Sequence, residues 1–339
     1  MKINLFTGYF PDETFGLGRY SLNLYKNLDV KKNIVYIKSK QILLLDIIKY
    51  FFIKYPEADM NHLTTETFGF ILLRIRGKKI ATVFDLHVLR LKSEYGIIKR
   101  LFYLLNLIGL KRADHIITAS KFMRNILINE FGFKDNKISV IYLGLEKKFI
   151  LKPKKLKRKK EFQIIYVGSE KHHKKFIEVL ETLKILNKNN KKIKFKLIKI
   201  GKPQSGLRKF HLQFVKENNL DVQFIDHVED KNLIELYKSS DIFITMSDSE
   251  GFCLPPLEAA GAGLPLVLKD NPVLKEVYSG VAEFVSNPQQ AAKKIMQILS
   301  NKKKYENLSK KGCEFAKKMD WKKYANKVKQ VYIKVLKNE

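Results

Sequence analysis

Short runs of β-branched and aromatic residues recur along the chain, separated by longer segments whose apolar residues step by three and four. In the first half, residues 3–10, 34–37, 79–84, 115–118 and 138–142 read as strands. Past the middle the pattern returns at 163–167, 195–200, 222–225, 242–245 and 266–268. Helical stripes lie between and after them. Phe176, Val179, Leu180, Leu183 and Leu186 mark one apolar face, and Trp321, Tyr324, Ala325, Val328, Val331, Tyr332 and Val335 mark another. Alternating strands and helices predict an α/β protein with one parallel, helix-covered sheet in each half. No internal sequence repeat accompanies this likeness of architecture.

A chain of 339 residues is longer than one core usually fills. The boundary falls at Lys152-Pro153-Lys154-Lys155-Leu156-Lys157-Arg158-Lys159-Lys160, polar and without periodicity, which reads as a linker. The expected organisation is a first domain over 1–150, a basic linker over 151–160, a second domain over 161–318 and a terminal helical segment over 319–339.

Charge alters this picture by adding a partner class. The net charge of +31 favours anionic partners, either nucleic acid or an acidic membrane surface. Yet 25 basic and 13 acidic residues lie in 1–150, against 40 and 21 beyond, so no single tail carries the excess. Lysine spread over solvated faces is the competing explanation. One segment concentrates the effect: Arg90, Lys92, Lys99, Arg100, Lys111 and Arg112 interleave with Leu101, Phe102, Tyr103, Leu104, Leu105, Leu107 and Ile108, with Glu94 as the lone acid. Such a mixture suits an interfacial helix on anionic lipid, or a half-buried domain helix. The greasy stretches 42–55 and 97–110 are both broken by charges and fall short of a membrane span. Two cysteines, Cys253 and Cys313, cannot make a disulfide framework and fit a reducing compartment. The opening Met1-Lys2-Ile3-Asn4-Leu5-Phe6 runs straight into a strand without the parts of a signal peptide. The expectation is a cytoplasmic chain, attached at most to the inner face of the cell membrane.

Candidate chemistry collects where strands end. Directly after the strand at 242–245 come Glu250 and, eight positions later, Glu258, in Ser249-Glu250-Gly251-Phe252-Cys253-Leu254-Pro255-Pro256-Leu257-Glu258. Open α/β sheets place ligand crevices at strand carboxyl ends. Pro255 and Pro256 suit a helix start, whose amides and dipole favour an anion. Taken alone, two such acids could serve as a general acid and base, as in glycoside hydrolysis. The strand at 163–167 ends in Gly168-Ser169-Glu170-Lys171-His172-His173-Lys174-Lys175, where a lysine can meet a departing diphosphate or simply face water. Near the amino terminus, Gly8-Tyr9-Phe10-Pro11 and then Phe15-Gly16-Leu17-Gly18-Arg19-Tyr20 open a helix, a turn that admits either a phosphate or nothing. Asp85 and His87 follow the strand at 79–84; the histidine is either structural or an acceptor of a hydroxyl proton. Thr118-Ala119-Ser120-Lys121 with Arg124 forms another polar turn of helix-capping type.

Together these pieces resemble the retaining glycosyltransferases of family 4, the glycosyl transferases group 1, which have the GT-B fold. The likeness covers nearly the full chain: the first glycine loop at Phe15 to Tyr20, the closing segment Val140 to Leu145, the diphosphate loop Tyr166 to Glu170 with Lys174, and the paired glutamates. The resemblance implies two Rossmann-like domains facing across a central cleft, acceptor side first and donor side second, with the terminal helix returning to the first domain. It implies that Glu250 contacts the transferred sugar, that Glu258 accepts the ribose hydroxyls, and that Lys174 neutralises the leaving diphosphate. Gly16, Gly18, Gly168, Ser169, Gly251, Phe252, Cys253 and Leu254 would complete the donor site. Asp85 and His87 would stand on the acceptor side. No metal and no cofactor are implied, because cations and helix dipoles take that task. Three positions depart from the pattern: Ser169 stands where many relatives have arginine, Phe84 where many have histidine, and Cys253 where glycine is common. A second cation would then come from Lys175, His173 or elsewhere.

The expected activity is retaining transfer of a hexose from a nucleotide-diphosphate sugar to a lipid-linked or glycan acceptor, in cell-surface glycan or glycolipid synthesis. The rivals are a non-catalytic binder of nucleic acid or another anionic polymer, and a degenerate transferase acting as a scaffold. A nucleic-acid partner is not expected, since it leaves the glutamate spacing without a purpose.

Overall fold

The structure is a computed structural model that describes residues 1–8, 16–37, 48–50, 52–91, 94–190, 192–204 and 206–337. The expected strand residues 9 and 10, the glycine-loop residues before Gly16, the greasy residues 42–47 and Lys92 lie outside this set. The chain divides into two compact units, Met1–Gly144 with Asp320–Glu339, and Leu145–Met319.

The first unit holds six parallel strands: β1 (Lys2–Thr7), β2 (Lys31–Tyr36), β3 (Met60–Leu63), β4 (Lys78–Val83), β5 (His115–Thr118) and β6 (Ile138–Val140), in the order β2-β1-β3-β4-β5-β6. The second repeats the design with β7 (Glu161–Val167), β8 (Lys194–Ile200), β9 (Val222–Ile225), β10 (Ile242–Thr245), β11 (Leu266–Lys269) and β12 (Ala282–Val285), ordered β12-β11-β10-β7-β8-β9. In each sheet the first strand of its unit has one neighbour from each winding direction. The sequence order therefore reverses between β1 and β3, and between β7 and β10. Such switch points are where open α/β sheets form ligand crevices, because adjacent connections run to opposite faces.

Two strands escaped the hydrophobic pattern. β3 is Met-Asn-His-Leu, buried throughout, with its polar residues satisfied internally. Asn4 donates to Asn61 at 3.0 Å, and His62 pairs with Thr82 at 2.9 Å and with Tyr332 at 2.6 Å. Burial drives the His62 imidazole down to about 3, so it stays neutral near pH 7. β12 is an edge strand whose Glu283 carboxylate is claimed by Lys294 and Lys304, both at 2.7 Å.

The basic run expected to be a linker is instead part of the second unit. Leu151 donates its backbone N–H to the Gly261 carbonyl, and Lys154 donates its own to Ser309 Oγ. The Lys154 ammonium bonds the carbonyls of Tyr237 and Lys238 at 2.9 and 2.8 Å. Charge on this run hid the backbone bonds that tie it in, and the units change over at Gly144 and Leu145. The chain leaves the second unit where it entered, since Leu145 N–H bonds the Met319 carbonyl at 2.8 Å. The helix Trp321–Lys337 then packs in the first unit, and Tyr324 donates to Tyr20 at 3.0 Å. Any side chain at Gly144 would sit 2.5 Å from the Trp321 nitrogen, so only glycine admits that approach.

The helix Ile97–Leu110 buries Asn106, Leu107, Gly109 and Leu110 but leaves Ile97, Ile98, Leu101, Leu104 and Ile108 exposed, Ile98 by 82%. Ile97, Leu101, Leu104 and Ile108 step by four, three and four along one face, with Ile98 next to the first of them. Lys99, Lys111 and Arg112 are exposed beside them. No helix among the described residues is long and apolar enough to cross a membrane.

Candidate active site

The switch point between β7 and β10 joins two loops separated by some 70 residues of sequence. At the end of β7, the Gly168 amide donates to the Ile200 carbonyl at 2.8 Å. Gly201 lies so close that a Cβ there would come within 2.4 Å of the Gly168 oxygen. The loop continues through a 3-10 turn, His172–Lys174, and Lys175 adopts a left-handed φ of 48° before the helix Phe176–Asn189. The loop after β10 is stitched to it. Asp248 donates its amide to the His173 carbonyl at 2.8 Å, and Ser247 Oγ donates to the same carbonyl at 3.3 Å. Asn271 Nδ2 holds the Ser247 carbonyl at 2.6 Å.

This stitching puts the Lys174 ammonium 2.8 and 2.7 Å from the two oxygens of Glu250. Both side chains are largely shielded from solvent. Burial pushes the Glu250 carboxyl up, but the Lys174 charge and bonds from Lys174, Ser247 and Cys253 outweigh it and hold the group below its ordinary range. Glu250 is therefore an anion at neutral pH. Gly251 and Phe252 are buried beside it. Cys253 stands at the cap of the helix Leu254–Gly261 with φ 68°, a conformation that glycine adopts at less cost. Its carbonyl accepts a short bond from Tyr278, while burial, and then the nearby Glu250, push its thiol well up.

Glu258 sits one turn into that helix, buried, and accepts from Tyr237 at 3.0 Å. Cys253 feels the charge of both Glu250 and Glu258, so the paired acids lie around one helix start. Pro255 falls in the first turn, where its missing donor costs nothing.

Beside the same loop lies a cluster that sequence reasoning missed. Glu170 is fully buried and carries Lys199 at 2.6 Å, Arg208 at 2.6 Å and His211 Nδ1 at 2.9 Å on its two oxygens. Burial opposes ionisation, yet the bonds from His211, Arg208 and Lys199 hold Glu170 down at about 2. Arg208 also pairs with Asp226 at 2.7 Å and stacks on Phe224. This cluster anchors the residue that follows Ser169. Its only sequence signal was Lys199 among the apolar residues of β8.

In the first unit, Gly16 begins the helix Gly16–Asn27 with φ 56° and is exposed, whereas Gly18 is buried. Asp85 and His87 follow β4. Asp85 Oδ1 accepts the His87 amide at 3.1 Å and faces His87 Nδ1 at 3.3 Å. A third group joins them: Glu66, after β3, is 4% exposed and its Oε2 accepts the Phe84 amide at 3.1 Å. Thr65 caps the turn that presents it. Thr118 ends β5 fully buried, and its Oγ1 has no partner among the described residues. No three His, Cys, Asp or Glu side chains among the described residues group as metal ligands.

Residues 147–315 match the model of the glycosyl transferases group 1, and residues 30–149 match that of glycosyltransferase family 4. The chain belongs to the family 4 glycosyltransferases. Among curated relatives of this family, it is 27% identical over 196 residues to the O-antigen chain mannosyltransferase RfbU of Salmonella typhimurium, covering 56% of this chain and 53% of that one. It is 27% identical over 236 residues to the N,N'-diacetylbacillosaminyl-diphospho-undecaprenol alpha-1,3-N-acetylgalactosaminyltransferase of Campylobacter jejuni, covering 65% and 59%. The chain thus spans little more than half the length of these relatives. Its fold is GT-B, like that of sucrose-phosphate synthase from Thermosynechococcus elongatus, at a TM-score of 0.79 and 16% identity over 100% of both chains.

Proposed function

We propose that this chain is a retaining, metal-independent glycosyltransferase that moves a hexose from a nucleotide-diphosphate sugar to a lipid-linked or glycan acceptor in cell-surface glycan synthesis. The observation that carries this reading is the pairing of Lys174 with the buried Glu250 at the β7/β10 switch point, with Glu258 on the adjoining helix. Departure of a nucleoside diphosphate leaves negative charge on a phosphate oxygen and positive character on the anomeric carbon. A lysine and a carboxylate held together are matched to these two charges, so each is preorganised for one of them. Glu258 takes the ribose hydroxyls, and Asp85 with His87 serves the acceptor. Curated relatives that act on O-antigen chains and on a diphospho-undecaprenol substrate support the choice of acceptor class.

Attachment to an anionic membrane surface fits the same role. The exposed stripe of Ile97, Ile98, Leu101, Leu104 and Ile108, flanked by Lys99, Lys111 and Arg112, has the composition of an interfacial helix. Equal recovery on neutral and anionic vesicles in a flotation assay would count against it.

The decisive experiment screens nucleotide sugars by thermal stabilisation and assays the stabilising donor for transfer. Glu250→Ala is expected to abolish transfer while the fold persists. A variant that transfers normally, or nucleic acid bound tightly where no nucleotide sugar is, sinks the reading.

A further inference from the structure

We propose that Glu66 is a positioning residue of the acceptor side: its buried carboxyl, bonded to the Phe84 amide, holds the turn on which Asp85 is aligned with His87. The inference rests on the transferase reading above for its purpose, and on the first unit alone for its geometry.

Glu66 follows β3 and Asp85 follows β4, strands in parallel register with Leu63 opposite Ala81. β3 flanks the β1/β3 switch point, so Glu66 is placed where an open sheet accepts ligands. Its Oε2 takes the amide of Phe84, the residue preceding Asp85. Glu66 is thus tied by its own carboxylate to the turn that carries the second acid. Among the described residues no lysine or arginine forms an ion pair with it, unlike Glu250 with Lys174 and Glu170 with Lys199 and Arg208. The helix Ile97–Leu110 packs on the segment Glu66–Leu73 and bonds its Phe70 amide through the neutral Asn106. The charge that Glu66 feels among the described groups is that of Asp85. Burial, and then Asp85, push its carboxyl up to about 8.

Two neighbouring carboxyls ionise together only at high cost, and the more buried one keeps the proton. Glu66 therefore stays neutral near pH 7, leaving the charge on half-exposed Asp85. An anionic Asp85 opposite His87 Nδ1 favours a proton on that nitrogen and makes Nε2 the basic one. In transfer, the acceptor oxygen bonds the anomeric carbon as the bond to the phosphate oxygen breaks, its electron pair leaving with the nucleoside diphosphate. The hydroxyl proton passes to His87 Nε2 and on to solvent. Glu66 keeps its own proton throughout. When Glu66 ionises, repulsion between the two acids removes the alignment.

Nuclear magnetic resonance of the whole chain tests this without a substrate, with carboxyl-labelled glutamate and ring-labelled histidine followed from pH 6 to 10. A glutamate signal titrating near 8 is expected, absent in Glu66→Gln and shifted down by about one unit in Asp85→Asn, where the repelling charge is gone. The His87 ring should hold its proton on Nδ1 at pH 7 and lose that preference as Glu66 ionises, but not in Glu66→Gln. A Glu66 signal in the ordinary carboxylate range, no response to Asp85→Asn, or a His87 tautomer indifferent to Glu66 overturns the proposal. None of these outcomes touches the Glu250 test, so the two ideas fail separately.

Discussion

The two switch points share one topology and opposite electrostatics. At β7/β10 the buried Glu250 meets a lysine and is held ionised; beside β1/β3 the buried Glu66 meets another acid and is held neutral. Burial penalises both charges equally in kind, so the sign of the nearest neighbour decides the outcome. The contrast teaches that one parallel sheet design can hold a fixed charge pair in one unit and a proton-holding acid in the other.

The comparison breaks most severely if the buried cations of the second unit lose their anion. Glu170→Leu strands Lys199, which is fully buried, and should cost about 3 to 5 kcal/mol, seen as a lower urea midpoint. An unchanged midpoint would mean the cluster is not an anchor. Next in size, Lys174→Ala should lower transfer by about a hundred- to a thousandfold, and Glu250, left buried without its cation, should titrate higher than in the parent. Full activity would show that another cation meets the diphosphate.

The contrast sharpens with pH. Glu66 has a folded pKa raised above its unfolded value, so its contribution to stability is complete below the ordinary carboxylate range and disappears as pH rises through about 8. Glu66→Gln should remove that slope, and its unfolding midpoint relative to the parent should improve between pH 6 and pH 9. Parallel curves would deny the raised pKa. The smallest effect belongs to Cys253→Gly, which relieves a left-handed backbone and should raise stability by up to about 1 kcal/mol in thermal unfolding.

The parts legible in the sequence were those whose signal is local. Strands such as Ile242–Thr245 are runs of apolar residues, and Glu250 with Glu258 share one short segment. Asn61 and His62 concealed β3 because a buried polar residue and an exposed one look alike until their partners are known. Glu66 went unnoticed for the same reason, and Glu170, though it stands in the loop after β7, gave no sign of its buried role: each is one among 34 acidic residues, distinguished only by what surrounds it. The lysines of 152–160 misled in the other direction, since backbone bonds to Gly261 and Ser309 leave no trace in composition.

The sequence by itself determined the α/β class, the alternation of strands and helices, and which residue types stand at the strand ends, because periodicity and turn chemistry act over a few neighbours. Tertiary structure alone decided which strand ends meet, and so which charges face each other. Lys174 and Glu250 are 76 positions apart, and only the reversal of strand order between β7 and β10 makes them a pair. The charge state of a buried carboxyl depends on groups within a few ångströms, and the fold sets that distance.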